Sequence, residues 1–532
     1  MDDAMNAWVA TAIAVPLALL LASLSRRVRA RLPSVLAFAP LPALLCALLG
    51  SMDVPLRVGN ARFALVFALD GPGAMLLLVA ALLWVVSGIH ARRYLADSAD
   101  SGAFVACWLM ALTGCVGVFL AADVVGFYFL LAVLSVGAAG LVLQGQGTAA
   151  MRAGAIYLGV ALLAEAFLLA ALILIVQALP SGSLMIADAA AALASSDTAM
   201  TLLLIGLGMK AGLVPMHFWM PLAYGAAPIP AAAVLSGAVV KASVLALVRF
   251  LPFEAALPDF GLPLVWVGMF GALYGVAVGI TQSNPKVVLA YSSVSQMGFV
   301  AAVVGMGLAT GNAGTPMIAA FYAAHHLLVK GTLFLAVDSV PRTLAPAVLV
   351  PAGIIALGLA GLPLTGGALS KDVAKDALGD GVVAALAVAS SVATSLLMFH
   401  FLRRLAASAT SGTRLSGTWL VMAAACVVVP WWLYLASPMG AAASALAPAA
   451  LWSSLWPVLV GGVLAWGLGR AGSAVPAVPA GDIGLALGGI ERAGTWIASA
   501  FERGDAVARR WQVASLVLLL VAVAFYWTLR VP

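Results

Sequence analysis

Apolar runs of bilayer-crossing length, broken by short polar or Pro/Gly-rich punctuation, recur along almost the whole chain. A helix needs about 20 such residues to cross a membrane. The pattern predicts helices at 7–24, 33–50, 72–90, 102–121, 123–143, 153–178, 199–220, 229–250, 261–282, 287–309, 316–338, 347–377, 381–402, 416–436, 449–468 and 512–529. The runs are continuously apolar, which excludes an outer-membrane barrel, whose strands alternate lipid-facing and lumen-facing residues. The first run is expected to stay in place as a helix. Arg26, Arg27, Arg29 and Arg31 follow it, whereas a cleaved signal carries its positive charge in front and a small-residue cleavage site behind.

Composition agrees with this pattern. Of 532 residues 64% are hydrophobic and 9% charged, far from the soluble range, and little chain is left for an extramembrane domain. The expected class is an all-α, polytopic membrane protein. Lysine and arginine concentrate in cytoplasmic loops as a rule, so the four arginines after the first helix predict an outside N-terminus. Alternation then puts seventeen basic residues inside and only Arg57, Arg62, Arg249 and Arg530 outside, the other five of the 26 being lysines within membrane runs. The net charge of +6 is dispersed over short loops, so there is no footprint for nucleic acid. Cys46, Cys107, Cys115 and Cys426 sit singly in apolar runs without a C-x-x-C pair, and neither a zinc nor an iron–sulfur site is expected. No dinucleotide-binding glycine motif and no Walker A loop is present; no cofactor and no metal are expected on this chain.

The tail differs. A linker rich in Pro, Ala and Gly, residues 471–481, leads to Leu485, Leu487, Ile490, Trp496, Ile497 and Phe501 interspersed with Glu491, Arg492, Glu502 and Arg503. That spacing predicts an amphipathic helix lying on the membrane surface or along a neighbour, anchored by the last hydrophobic helix; the alternative is a plain polar connector.

The chemistry lies with the lysines. Five of the six, Lys210, Lys241, Lys330, Lys371 and Lys375, fall in or at the edge of apolar helices. A charge near the bilayer midplane costs several kcal/mol unless it faces a hydrated interior path or a partner. Snorkelling suits a lysine near a helix end, such as Lys375, but not Lys241, which has roughly ten mostly apolar residues on either side. Desolvation disfavours the charged form of an amine in general, so buried lysines can load and unload protons, and histidine titrates near neutrality unaided. His217 lies seven residues beyond Lys210, His325 and His326 lie five and four before Lys330, and His400 ends a helix. Together they predict a proton relay, against the plainer reading of histidines satisfied within a core. Two lysine helices carry breaks, at Pro215 and Pro221 after Lys210 and at Pro363, Gly366 and Gly367 before Lys371. Charges on opposite sides of a break are what an inverted repeat produces.

At these residues the chain resembles the antiporter-like membrane subunits of respiratory complex I (subunits L, M and N), group 4 hydrogenases (hydrogenase-4 component B, formate hydrogenlyase) and multisubunit Mrp cation/proton antiporters (subunits A and D). The resemblance is carried by HFWMPLAYGAAPIPAAAVLSGAVVKASVLALVRF at 217–250, then NPKVVLAYSSVSQMGF, HHLLVKGTLFL and GLPLTGGALSKD in order, and it spans residues from about 100 to 405. It implies a core of about fourteen helices with two inverted five-helix repeats. The expected organisation is 1–100 N-terminal helices, 101–250 the first half-channel, 251–405 the second, 406–470 C-terminal helices, and 471–532 the linker, lateral segment and final helix. By the family pattern Lys210 is the pumping lysine of the first half-channel and Lys241 the connecting lysine with His217 nearby. His325, His326 and Lys330 are central links, and Lys371 is the lysine of the second broken helix. Tyr291, Ser292 and Ser295 would be supporting polar groups.

One departure stands out. The family carries a glutamate, paired with the first lysine, where this chain has Ala132 in FYFLLAVLS. Glu165, on the next helix, is the only acidic residue deep in a predicted span, and it is expected to take over; an altered or silent first half-channel and a Glu165 satisfied elsewhere are the competing readings. The resemblance implies a multi-pass subunit in the inner (plasma) membrane of a bacterium, working with other membrane subunits and carrying protons, with Na+ left open. The leading expectation is a complex I-like NADH:quinone oxidoreductase or group 4 hydrogenase-type complex. An Mrp-type Na+(K+)/H+ antiporter and the membrane component of an inorganic-carbon uptake system are the alternatives.

Overall fold

A computed structural model describes residues 2–29, 31–49, 55–59, 64–96, 101–179, 183–340, 345–408, 416–437, 439, 442–471 and 478–482. Residues 1–480 form one compact unit and 481–532 a second. The expected lateral segment and the helix at 512–529 lie outside the described residues.

Thirteen helices among the described residues are long and apolar enough to cross a membrane, from Met5–Ala22 to Pro448–Arg470. A further broken helix is made of Ala345–Ala360 and Gly366–Leu378. From residue 102 the spans fall into two successive sets of five, 102–250 and 258–407, and the fourth member of each set is interrupted. The breaks stand where proline and glycine predicted them. In the first set Asp197–Ala211 stops at Gly212, which takes a left-handed φ of 72°, a conformation that glycine adopts without steric cost. The chain then passes through a cis Val214–Pro215 bond and a 3₁₀ turn, Met216–Phe218, into Trp219–Ala226.

Three spans occupy the centre. Ile229–Phe250, Pro285–Thr310 and Thr315–Ala336 are almost wholly buried by their neighbours, while Gly147–Ala178 and Val382–Ala407 lie more at the periphery. Lipid tails are as apolar as leucine, so packing rather than hydrophobicity holds such helices together, and small residues let backbones approach. Pro258–Gly279 meets Pro285–Thr310 this way: a Cβ on Gly268 would fall 2.5 Å from the Gly298 carbonyl oxygen, and one on Gly298 2.6 Å from that of Gly268. Elsewhere large rings interlock, as where Trp84 meets Trp108 edge-on with centroids 4.8 Å apart.

Two stretches differ from expectation. Residues 33–50 do not form one helix. Pro33, Pro40 and Pro42 remove amide donors and clash with the preceding turn, leaving a 3₁₀ turn, Leu32–Ser34, and a nine-residue helix, Leu41–Leu49. At 1.5 Å per residue that helix is too short to cross. Where only a loop was expected, a hairpin pairs Leu56–Gly59 with Ala64–Phe67 in antiparallel register, Leu56 opposite Phe67. It caps a helix end, since Ala68 donates to the Leu120 carbonyl and Ala122 to that of Val66.

Candidate functional site

Lys210 occupies the last turn before the first break, where the unpaired carbonyls of a helix C-terminus favour a cation. The Trp219 indole, 3.0 Å from the Met209 carbonyl oxygen, satisfies one carbonyl freed by the break. The Lys210 ammonium lies 2.6 Å from Glu165 Oε1 and 2.5 Å from Ser135 Oγ, with both charged side chains about nine-tenths buried. Glu165 comes from Gly147–Ala178 and Ser135 from Val124–Leu143, so three helices meet at one ammonium. Ala132 sits on the serine's helix, one turn earlier. The carboxylate that this helix lacks is thus present in space, supplied by the next helix.

Between Lys210 and Lys241 the backbone changes pitch. Leu235–Val239 is a π-helical turn within the span Ile229–Phe250, the kind of bulge that frees carbonyls and clusters at functional sites. The Tyr224 hydroxyl takes up the Leu235 carbonyl at 3.3 Å and the Lys241 ammonium that of Ser236 at 3.0 Å. A cavity of about 20 Å³ lies between the two lysine regions, lined by Ser135 and Lys210 on one side and Val240, Ala242 and Ser243 on the other. That is room for one water molecule.

Lys241 is fully buried, and its ammonium lies 2.6 Å from His326 Nδ1. This partner comes from Thr315–Ala336, 85 residues along the chain. His217 is buried in the break, with Tyr274 edge-on at 5.3 Å and Tyr291 at 6.1 Å between ring centroids. Four residues beyond His326, on the same face of Thr315–Ala336, the Lys330 ammonium donates to the Leu289 carbonyl at 2.8 Å. His325 points to the second break: a Cβ on Gly366 or Gly367 would come within 2.7 and 3.0 Å of its ring nitrogens. Only glycine there lets the imidazole reach the start of the helix that carries Lys371.

Lys371 donates to Ser391 Oγ at 2.9 Å and lies 5.7 Å from the centre of the Phe299 ring. Phe299 stacks on Tyr322, whose hydroxyl donates to Gln296 Oε1 at 2.6 Å, and Gln296 Nε2 donates to Thr394 Oγ1 at 3.2 Å. A cavity of about 10 Å³ adjoins Lys371, Lys375 and Ser391 and reaches Ser453 and Ser454 on the span Pro448–Arg470.

The structure therefore brings Glu165 to Lys210, His326 to Lys241 and His325 to the approach to Lys371, and it packs His217 against Tyr274 and Tyr291. Of the expected supporting groups, Ser295 donates to the Ala272 carbonyl at 2.6 Å. Ser292 is buried, its hydroxyl without a hydrogen-bond partner among the described residues, and its neighbour Ser293 meets Ser236 at 3.0 Å. His400 bonds the Gln282 carbonyl at 2.7 Å, with Arg403 on its other nitrogen at 3.3 Å. Sequence reasoning missed Ser135, Ser236, Ser293, Gln296, Tyr322, Ser391 and Thr394, uncharged groups with no distinguishing spacing. Among the described residues no group of three or more His, Cys, Asp or Glu could hold a metal ion.

The sequence profile of the NADH:quinone oxidoreductase/Mrp antiporter transmembrane family matches residues 121–398, just over half of the chain. The chain belongs to this family. It is 28% identical over 305 residues to hydrogenase-4 component B of Escherichia coli, covering 53% of this chain and 45% of that one. It is 32% identical over 280 residues to NADH-quinone oxidoreductase subunit N of Desulforudis audaxviator, covering 50% and 54%. The chain thus spans about half the length of these curated relatives. A chain of the Mrp complex from Dietzia superposes with a TM-score of 0.73 at 22% identity, over 99% of this chain and 63% of that one. This protein is an antiporter-like, multi-pass membrane subunit, homologous to subunits of multisubunit membrane complexes.

Proposed function

We propose that the chain is a proton-translocating subunit, without redox groups of its own, of a complex I-like NADH:quinone oxidoreductase or group 4 hydrogenase-type complex in a bacterial inner membrane. The observation that carries the reading is the Glu165–Lys210 pair. Removing two charges from water is costly, and a buried ion pair is weak as a stability device. As a proton-handling device it has a use: the carboxylate holds the ammonium charged, and drawing the negative charge away lets the lysine release its proton.

The same logic extends along the axis. Lys241 and His326 share one short contact, so either can hold a proton that the other has released, and charge on one disfavours charge on its neighbour. Lys330, His325 and Lys371 continue the series toward the second broken helix, with the Gln296–Tyr322–Thr394 cluster beside it. Electron transfer in a partner subunit would shift charge at one end of this row, and each station would pass the change on. The Mrp-type antiporter remains the second reading, because the family profile spans both kinds of complex. In that reading an ion gradient replaces the redox partner, and genes for hydrogenase or quinone-reductase subunits beside this one would decide between them.

The test is proton flux in the complex reconstituted into liposomes with an internal pH dye. Glu165→Gln keeps the shape and removes the counter-charge, and about a hundredfold loss of flux is expected, the scale of a proton-transfer group. Unchanged flux would remove Glu165 and the pair from the mechanism.

A further inference from the structure

We propose that His90 and Asp338 form the port at which the buried relay exchanges protons with water. The inference rests on the relay reading above and adds a site to it. His90 Nε2 lies 3.1 Å from Asp338 Oδ2, with the histidine side chain 9% exposed and the aspartate 45%. The pair is thus half exposed and half in protein, at an end of Gly71–Ala96 where Arg92 and Arg93 are also exposed. It joins the end of Gly71–Ala96 to the turn that follows Thr315–Ala336, the helix carrying His325, His326 and Lys330.

The two helices stay in contact inward from the pair. Leu83 fills the space beside Gly331 and Gly237, the first next to Lys330 and the second inside the π-helical turn. His90 is seven residues from Leu83 and Asp338 seven from Gly331, so the same faces meet at both ends of this stretch. Between them, one turn from His90, lies Ser87, which is fully buried. Neither Ser87 Oγ nor His90 Nδ1 has a hydrogen-bond partner among the described residues. A buried polar atom left unmet costs about 1–3 kcal/mol, and two such atoms on consecutive turns, Ser87 Oγ and His90 Nδ1, mark a polar track inward from the pair. Asp338 is eight residues from Lys330, about 12 Å along a helix axis.

The surrounding charges suit a port. Lys286, half-buried and bonded to the Ala227 carbonyl at 2.9 Å, is within Coulombic reach of Asp338. Ser339 approaches the other carboxylate oxygen at 3.4 Å. Arg92 and Arg93 are exposed on the histidine's own helix. Asp338 takes a proton from water and passes it to His90 Nε2; the imidazolium releases the proton from Nδ1 inward, and tautomer exchange resets the ring. The pair returns to its starting state, an ionised Asp338 beside a neutral His90, after each transfer.

The test uses the reconstituted complex, with proton uptake driven by a potassium diffusion potential and read by the internal dye. Asp338→Asn and His90→Gln are each expected to slow uptake about tenfold, and the double variant no further than either alone. Millimolar imidazole buffer, a mobile proton carrier, should restore the rate, and Asp338→Glu should keep most of it. Wild-type uptake in both single variants, while Glu165→Gln still blocks, would overturn the port and leave the relay standing. Wild-type uptake in all of them, Glu165→Gln included, would overturn the relay and the port with it. A slow Asp338→Asn with a lowered melting midpoint and no response to imidazole would make the pair a structural tie and overturn the proposal.

Discussion

The ammonium of Lys210 has two partners of different kinds, and their difference is measurable. Glu165 supplies charge, while Ser135 supplies one uncharged acceptor at 2.5 Å and itself donates to the Leu131 carbonyl at 2.9 Å. A hydrogen bond to a charged group is worth about 1.5–3 kcal/mol, but Ser135→Ala leaves the Glu165 counter-charge in place, so it should lower flux by about tenfold, the lower end of that range, and less than Glu165→Gln when the two are compared in the same dye assay. Equal losses would mean that the serine handles the proton itself. At this scale the charged half of the site was legible in the sequence and the neutral half was not. A lysine or glutamate in an apolar run announces itself by its cost. A serine does not, because its hydroxyl can bond its own helix one turn back, as Ser135, Ser391 and Ser395 do, and so sits in a membrane helix at little expense. The contact between Lys241 and His326 was not legible for a related reason: the two are 85 residues apart, and only the crossing of two central helices brings them together.

Among elements, the breaks were legible because proline and glycine leave a mark, whereas the π-helical turn at Leu235–Val239 carries no such signature. Nor was the role of Arg249 visible, which reads as a loop charge. Its guanidinium is divided between Asp70, at 2.9 Å through two nitrogens, and the carbonyls of Val118, Phe119 and Ala121. It thus ties the start of one span to the ends of two others, and Gly73 adds an amide bond to Asp70 at 2.7 Å. Burial pushes the Asp70 carboxyl up, but the neighbouring Arg249 charge and these hydrogen bonds more than offset it and hold the group below its ordinary value. A carboxyl depressed in the folded state contributes its stability above the unfolded value, about 4, and loses it as the pH falls through the depressed one. Asp70→Asn should therefore lower the melting midpoint near neutral pH, and the gap to the wild type should close below about pH 4. The effect will be modest, because the carboxylate is half-exposed and screened by solvent. A gap independent of pH would assign the loss to packing instead.

Over the whole molecule, two sets of five spans place one broken helix each, with Lys210 before its break and Lys371 after the other. The family and its architecture were legible because the motifs sit on the helices that build the core. The particular complex was not, because those helices are what its branches share. The arrangement itself poses a question about flux. If the halves joined by Lys241, His326, Lys330 and His325 form one path, blocking either end stops the whole, and groups acting as a unit give grossly non-additive losses. Lys210→Met and Lys371→Met would then each abolish most of the transport, and the double variant would be no worse than either. If each half instead carried its own proton independently, each single variant would keep about half of the flux and only the double would lose it. The Glu165–Lys210 and Lys241–His326 pairs, the water-sized cavity between them and His325 at the second break lie along one axis, which favours the first outcome. Flux measured in the three variants at matched protein content decides between them.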